Sequence, residues 1–314
     1  MSYGEGTYQG GQESAWTEPF AEGTGANVTI DSPTENAKLS AMVEAGNVSW
    51  DVVDTDPFFA RQYCEKYVSP IELGSMAKSF PPGTVSKCGV PDAYFGLELM
   101  YNEKTYGKNP PTSLADFFNL EKYPGQRIIM SGEVTTGLLE AGLLAEGVPA
   151  SKLYPLDVEK ALGAYDKIKP ELTLAQTFGQ QQQAMVGDQA DMALVVSARA
   201  YSVLEAGGTF WKPVWDKVPI TWDDLVIPKG APNEATAQEF IRFASEPKQS
   251  AAFATAAAVG PANTEAKAKL NPLQEEVNAF SPEHKKNQVL VNAEWWSENL
   301  EPTVEAWTNW TTGG

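Results

Sequence analysis

The sequence predicts an α/β fold built as two domains. Short β-type runs alternate with amphipathic helical segments along the chain, the pattern of an α/β protein. The 314 residues suffice for two domains of about 100–200 residues each. With 42% hydrophobic and 20% charged residues the chain is globular, since disorder needs fewer apolar residues and a higher charge density.

The elements follow in order. Val28-Thr29-Ile30 reads as a short strand. Ala37, Leu39, Met42 and Val43 then share one helical face, and Gly46-Asn47 ends that helix. Trp50-Asp51-Val52-Val53 reads as a buried parallel strand and closes a βαβ unit. Pro81-Pro82-Gly83 is loop, and residues 96–101 are apolar enough for a strand. Thr112 or Ser113 caps a helix over residues 114–118. After a turn at Pro124-Gly125 comes the strand Arg127-Ile128-Ile129-Met130. Ser131-Gly132-Glu133 follows as a strand-to-helix turn, which points side chains and free N–H groups into the crevice of an open sheet. Val158, Leu162, Tyr165 and Ile168 mark another amphipathic helix. A four-glutamine run at 180–183 leads to the strand Met192-Ala193-Leu194-Val195-Val196, and residues 223–228 form one more strand. Asn233 caps a helix carrying Ala237, Phe240, Ile241 and Ala244, and Trp295, Trp296, Val304 and Trp307 stud the C-terminal segment. There is no internal repeat and no linker rich in Gly or Ser.

Composition removes several function classes. A net charge of -18 repels phosphate backbones and excludes nucleic acid as a partner. The charge otherwise bears on solubility and association rate. No apolar run approaches the ~18 residues of a membrane span. Met1-Ser2-Tyr3-Gly4 has neither the charged nor the apolar region of a secretory leader, as in a chain whose leader has been removed. The signatures HExxH, GxSxG, Walker A and GxGxxG are absent, so no enzyme class is supported. The single histidine, His284, sits among Pro282, Glu283, Lys285 and Lys286 in what reads as an exposed polar loop, and no metal site is expected. Nine tryptophans offer large apolar faces with one donor each, for the core or for a pocket. Cys64 and Cys88 are either two buried thiols or one disulfide, worth ~3 kcal/mol in the chain-entropy model.

Six segments carry a resemblance to a known family. They are Gly6-Thr7-Tyr8-Gln9 with Trp16-Thr17-Glu18-Pro19-Phe20 and Gly23-Thr24-Gly25; Trp50 to Asp54; Ser113 to Phe117 with Tyr123-Pro124-Gly125; Gly187 to Ala193; Val226 to Pro232; and Ala293-Glu294-Trp295-Trp296. In this order they resemble periplasmic solute-binding proteins of the spermidine/putrescine type, including relatives that bind γ-aminobutyrate (GABA). The likeness spans nearly the whole chain, with the family's first strand shortened. It implies a two-lobed periplasmic-binding-protein fold of type II, with a ligand cleft between lobes that close by hinge motion. Lobe one would be 1–103 plus 224–272, and lobe two 104–223 plus 273–314. It also implies a monomer without cofactor, working in the periplasm with an ABC permease in the membrane. A cysteine pair in the most similar branch implies a Cys64–Cys88 disulfide, suited to an oxidising compartment.

The resemblance further implies a ligand site. Asp223 and Glu133 match amine-binding acids of the polyamine binders. Arg199, just past Ser197 at the end of its strand, has no counterpart in polyamine binders and matches an arginine of the GABA-binding relatives. A buried arginine repels a dication and suits a carboxylate. Ser197 is counted with this ligand set. Tyr8, Phe58 and Trp296 are expected as walls for an alkyl chain, and Asp54 and Asp56 as further amine partners at a strand end. The favoured ligand is therefore a zwitterion such as GABA or another ω-amino acid, with a polyamine as the alternative. A hydrolase and a receptor-docking sensor are the readings from other classes.

Overall fold

The computed structural model describes Ser2 and residues 7–313. Gly6 and, apart from Ser2, the segment Met1-Ser2-Tyr3-Gly4 lie outside the described residues. The chain divides into two compact units, Met1–Tyr94 with Trp222–Leu270, and Phe95–Thr221 with Asn271–Gly314. The crossings thus fall at 94/95, 221/222 and 270/271, where the sequence reading puts them at 103/104, 223/224 and 272/273. The first two lie inside the long strands Val90–Asn102 and Val218–Pro228.

In unit one, strand Val53–Thr55 pairs antiparallel with residues 224–226, Val53 opposite Val226 and Thr55 opposite Asp224. Val68–Ser69 pairs with Pro228 and Ile227 further along the same strand. Two expectations are corrected here. Residues 28–30 form no strand; three residues bounded by Asp31-Ser32-Pro33 are too few for a ladder, and Thr29 is exposed. The strand expected over 50–53 begins at Val53 and is antiparallel, because its partner is the returning 218–228 strand. Trp50 instead packs into a core with Leu39, Val53, Phe59, Tyr67, Val68, Cys88 and Val226. The disulfide Cys64–Cys88 pins this core, with Cα atoms 5.4 Å apart. Helix Asn36–Glu44 forms as its spacing predicts and buries Leu39. An N-terminal helix runs from Thr7–Gln12 through a π-turn at Glu13–Thr17 into Glu18–Thr24. Gly25 ends it at φ 74°, where glycine carries no Cβ penalty. Its Tyr8 and Trp16 rings pack on Phe253 of helix Pro247–Ala257, at 5.1 and 4.1 Å.

Unit two is a parallel α/β layer. Strand Arg127–Met130 lies between Leu172–Ala175 and Met192–Val196, parallel to both. Residues 97–101 add an antiparallel strand beside Met192–Val196. Helices Leu138–Ala145 and Val158–Asp166 carry the chain from 127–130 to 172–175, and Phe178–Val186 carries it on to 192–196. Such crossovers put helices on the faces of the sheet, so its strands read as near-continuous apolar runs. The 192–196 strand is buried at every position. Ser113, with Asp116 bonding back to its N–H at 3.0 Å, opens helix Leu114–Phe117. The C-terminal helix Ala293–Thr312 docks through Trp307, whose indole donates to Ser131 O at 2.7 Å and whose ring meets Tyr165 edge-on.

Candidate functional site

Unit one gathers acids. Tyr8 rides the N-terminal helix and donates its hydroxyl to Asp223 Oδ2 at 3.2 Å. Gln12, one helical turn on, donates to Asp54 Oδ2 at 2.6 Å. Asp54 sits mid-strand and is wholly buried. Burial pushes its carboxyl up to about 7, and the bonds from Gln12 and Tyr8 only partly offset this. Asp92, two residues into the Val90–Asn102 strand, is 5% exposed. Its carboxyl is pushed well above the usual range, first by burial and then by Asp54, Asp223 and Asp224. Asp54, Asp92 and Asp223 each place an oxygen within 4.8 Å of the other two. No other such set of three His, Cys, Asp or Glu exists among the described residues. Three convergent carboxylates suit a cation, an ammonium or a hard metal ion alike.

Other acids and rings of unit one are committed elsewhere. Asp56 Oδ1 accepts the N–H groups of Phe58 and Phe59 at 3.0 and 2.7 Å, capping helix Pro57–Gln62. Its other oxygen accepts from Asn36. Phe58, at 1% exposure, is a core residue. Asp224, beside Asp223 in the strand Val218–Pro228, points to the opposite face. It takes a 3.5 Å contact from Arg61 and an indole N–H from Trp222.

In unit two, the parallel strands end at Met130, Ala175 and Val196, the edge at which open α/β sheets hold ligands. Glu133 stands just past the first of these ends, half-buried. Ser197 opens helix Ser197–Glu205 past the last. Its hydroxyl accepts from Gly96 N–H at 2.9 Å and donates to Gly96 O at 3.3 Å, stitching helix to strand. Arg199 follows in the first turn, half-buried, its guanidinium 5.0 Å over the Phe178 ring. Burial lowers its pKa. The sequence holds four arginines. Arg61, Arg127 and Arg242 each donate to backbone carbonyls. Arg199 has neither an acceptor nor an ion-pair partner among the described residues. Trp296, expected as a wall, is wholly buried and donates to Glu140 Oε1 at 2.7 Å. His284 is not the free loop residue expected: it is half-buried and stacked on Trp215 at 3.9 Å, because the indole covers its ring.

Sequence reasoning missed Asp92 and Glu98. Both are acids inside the buried strand Val90–Asn102. The legible signal was a charged residue within an otherwise apolar run, which core packing does not explain.

Residues 15–281 match the family described as bacterial extracellular solute-binding protein. The chain belongs to that family. It is 31% identical to the gamma-aminobutyric acid-binding protein of Pseudomonas aeruginosa, over 98% of this chain and 89% of that one. A solved GABA receptor shares 32% identity with a TM-score of 0.88, covering 98% of this chain and 95% of its own. An ABC transporter substrate-binding protein of Bradyrhizobium japonicum shares 28% identity with a TM-score of 0.88, covering 98% and 97%. The chain is accordingly an extracytoplasmic solute-binding protein that captures a small molecule for an ABC transporter and performs no catalysis. The spermidine/putrescine label of the resemblance is looser than this match. No helix of the described residues is long and apolar enough to cross a membrane.

Proposed function

We propose that this binding protein captures an ω-amino acid zwitterion, GABA or one of similar length, in the periplasm and delivers it as a monomer to an ABC permease. The observation that carries the reading is Arg199. A half-buried guanidinium over an aromatic ring, with no ion-pair partner among the described residues, has N–H donors to offer an anion. A ligand carboxylate takes two of them in bidentate fashion. On unit one, Asp223, steadied by Tyr8, takes the ammonium together with its neighbouring acids. Glu133, at the carboxyl end of a parallel strand, completes the polar set on unit two, while Ser197, buried with its hydroxyl committed to Gly96, holds the helix that carries Arg199. Phe58 and Trp296, being buried, back the walls rather than form their surface. The names of the two relatives, a GABA-binding protein and a GABA receptor, support the same reading.

A polyamine is disfavoured, since a second ammonium gains nothing from an unpaired arginine and is repelled by it. The test is titration calorimetry with GABA and, separately, with putrescine and spermidine. One-to-one binding of GABA alone is expected. Arg199→Ala is expected to weaken GABA by about 100-fold, the scale of a lost charge-assisted pair. Undiminished GABA binding by that variant, or tight binding of a polyamine alone, overturns the proposal.

A further inference from the structure

We propose that Phe178 is a positioning residue for carboxylate recognition: its ring holds the Arg199 guanidinium in place before the ligand arrives. The inference rests on the reading that Arg199 takes the ligand's carboxylate, and it adds the residue that keeps the arginine ready.

The placement of the ring starts from the sheet. Helix Phe178–Val186 begins just past strand Leu172–Ala175, and helix Ser197–Glu205 directly past strand Met192–Val196. Both strands run parallel to Arg127–Met130, so the two helices start from one edge of the sheet. Thr177 caps the first helix. Its hydroxyl accepts the Gln180 N–H at 3.1 Å, while Gln180 Oε1 accepts the Gln176 N–H at 2.8 Å. Residues 178, 181, 182 and 185 then share one helical face. Met185 is wholly buried in it. Gln181, 1% exposed, donates to Leu194 O at 2.9 Å, and Gln182 donates to Ser202 O at 3.2 Å. The glutamine run thus fastens this face to the neighbouring strand and to the helix that carries Arg199. One turn back from Gln182 stands Phe178, and one turn back from Ser202 stands Arg199. The register that joins Gln182 to Ser202 therefore also brings the guanidinium over the ring, at 5.0 Å.

A ring does here what an acid could not. A carboxylate beside Arg199 would hold it, but would take the donors and offset the charge that a ligand needs. An aromatic face attracts the cation through its quadrupole and supplies no oxygen to compete with the ligand. Without the ring the arginine gains rotamers, and binding must then immobilise it. That ordering costs about three- to tenfold in affinity for one rotamer-rich side chain. Phe178 is half-buried at the start of its helix, so its replacement leaves the core of unit two in place.

The experiment is titration calorimetry with GABA on the wild type, Phe178→Leu, Phe178→Tyr, Arg199→Ala and the double variant carrying Phe178→Leu with Arg199→Ala, each checked for its fold by circular dichroism. Phe178→Leu is expected to weaken GABA by about three- to tenfold. Phe178→Tyr, which keeps the aromatic face, is expected to bind as the wild type does. In the Arg199→Ala background Phe178→Leu is expected to change nothing further, because the ring acts through the arginine. A merely structural role moves affinity in both backgrounds, and that result overturns the proposal. So does wild-type affinity in a folded Phe178→Leu, or an equal loss in the Leu and Tyr variants. Undiminished binding by Arg199→Ala removes the carboxylate reading and the platform with it, whereas a large loss in Arg199→Ala with none in Phe178→Leu removes the platform alone.

Discussion

At the scale of single residues, unit one buries acids that keep their protons into the neutral range. Asp54 and Asp224, wholly buried, both titrate at about 7 against an ordinary 3.8, and Asp92 is shifted the same way. The folded state therefore holds protons that the unfolded chain has released between pH 3.8 and about 7. Stability is fully present below 3.8 and is lost as pH rises, by about 1.4 kcal/mol per pH unit for each such group. The lowered acids Asp116 and Asp188 work in the opposite sense, but only below their ordinary 3.8. The melting temperature of the ligand-free protein is accordingly expected to fall from pH 5 to pH 8, and Asp54→Asn to flatten that fall. Melts followed by circular dichroism across the range check it; a temperature that stays level or rises contradicts the account. Residues of this kind are the least legible in sequence. Arg199 and Asp223 were found through a resemblance, whereas the partners that give them meaning, Phe178 for one and Tyr8 for the other, lie 21 and 215 positions away. Asp92 lies outside the strand that the apolar run 96–101 predicts, because the observed strand Val90–Asn102 begins six residues earlier.

At the scale of elements, legibility follows local periodicity. Arg127–Met130 and Met192–Val196 have the bounds their apolar runs predict, because a strand buried on both faces is written in consecutive residues. Helix Glu234–Ala244 buries Ala237, Phe240, Ile241 and Ala244, the face its spacing marks. Where pairing is decided by distant chain, the sequence misleads: Val53–Thr55 takes its direction from residues 224–226, and no local signal states that. Caps lie between these cases. Asp56 reads from sequence as a strand-end acid free for an amine, yet Pro57 after it is the mark of a helix start, and the carboxylate holds two N–H groups of the first turn. Asp56→Ala is expected to lower stability by about 1–2 kcal/mol, while Asp56→Asn, which keeps a capping oxygen, retains most of it. Urea unfolding of the three proteins measures the difference; equal losses for Ala and Asn place the role in charge rather than in the cap.

At the scale of the molecule, the disulfide and the acid cluster act on the same unit in opposite directions. Cys64–Cys88 ties the core that carries Val53, the residue before Asp54, with a separation of 24 residues. Its closure removes freedom from the unfolded chain, worth about 3 kcal/mol in the chain-entropy model. The buried acids Asp54 and Asp92, their carboxyls raised by burial, withdraw stability until a cation reaches them. A bound ligand reverses that loss by mass action, adding about 2.7 kcal/mol at 100 times its dissociation constant. The two contributions are thus of one size, and they are separable. Replacing both cysteines with serine is expected to lower the stability of the ligand-free protein by about 3 kcal/mol at neutral pH, and GABA at 100 times its dissociation constant to restore nearly all of it. Denaturant unfolding with and without GABA, in wild type and double-serine variant, gives the four numbers needed. Restoration shows that the disulfide serves the unfolded side of the balance and that the site forms without it. If GABA restores nothing while wild-type binding is intact, the disulfide shapes the site itself, and the covalent tie beside the acid strand belongs to recognition as well as to stability.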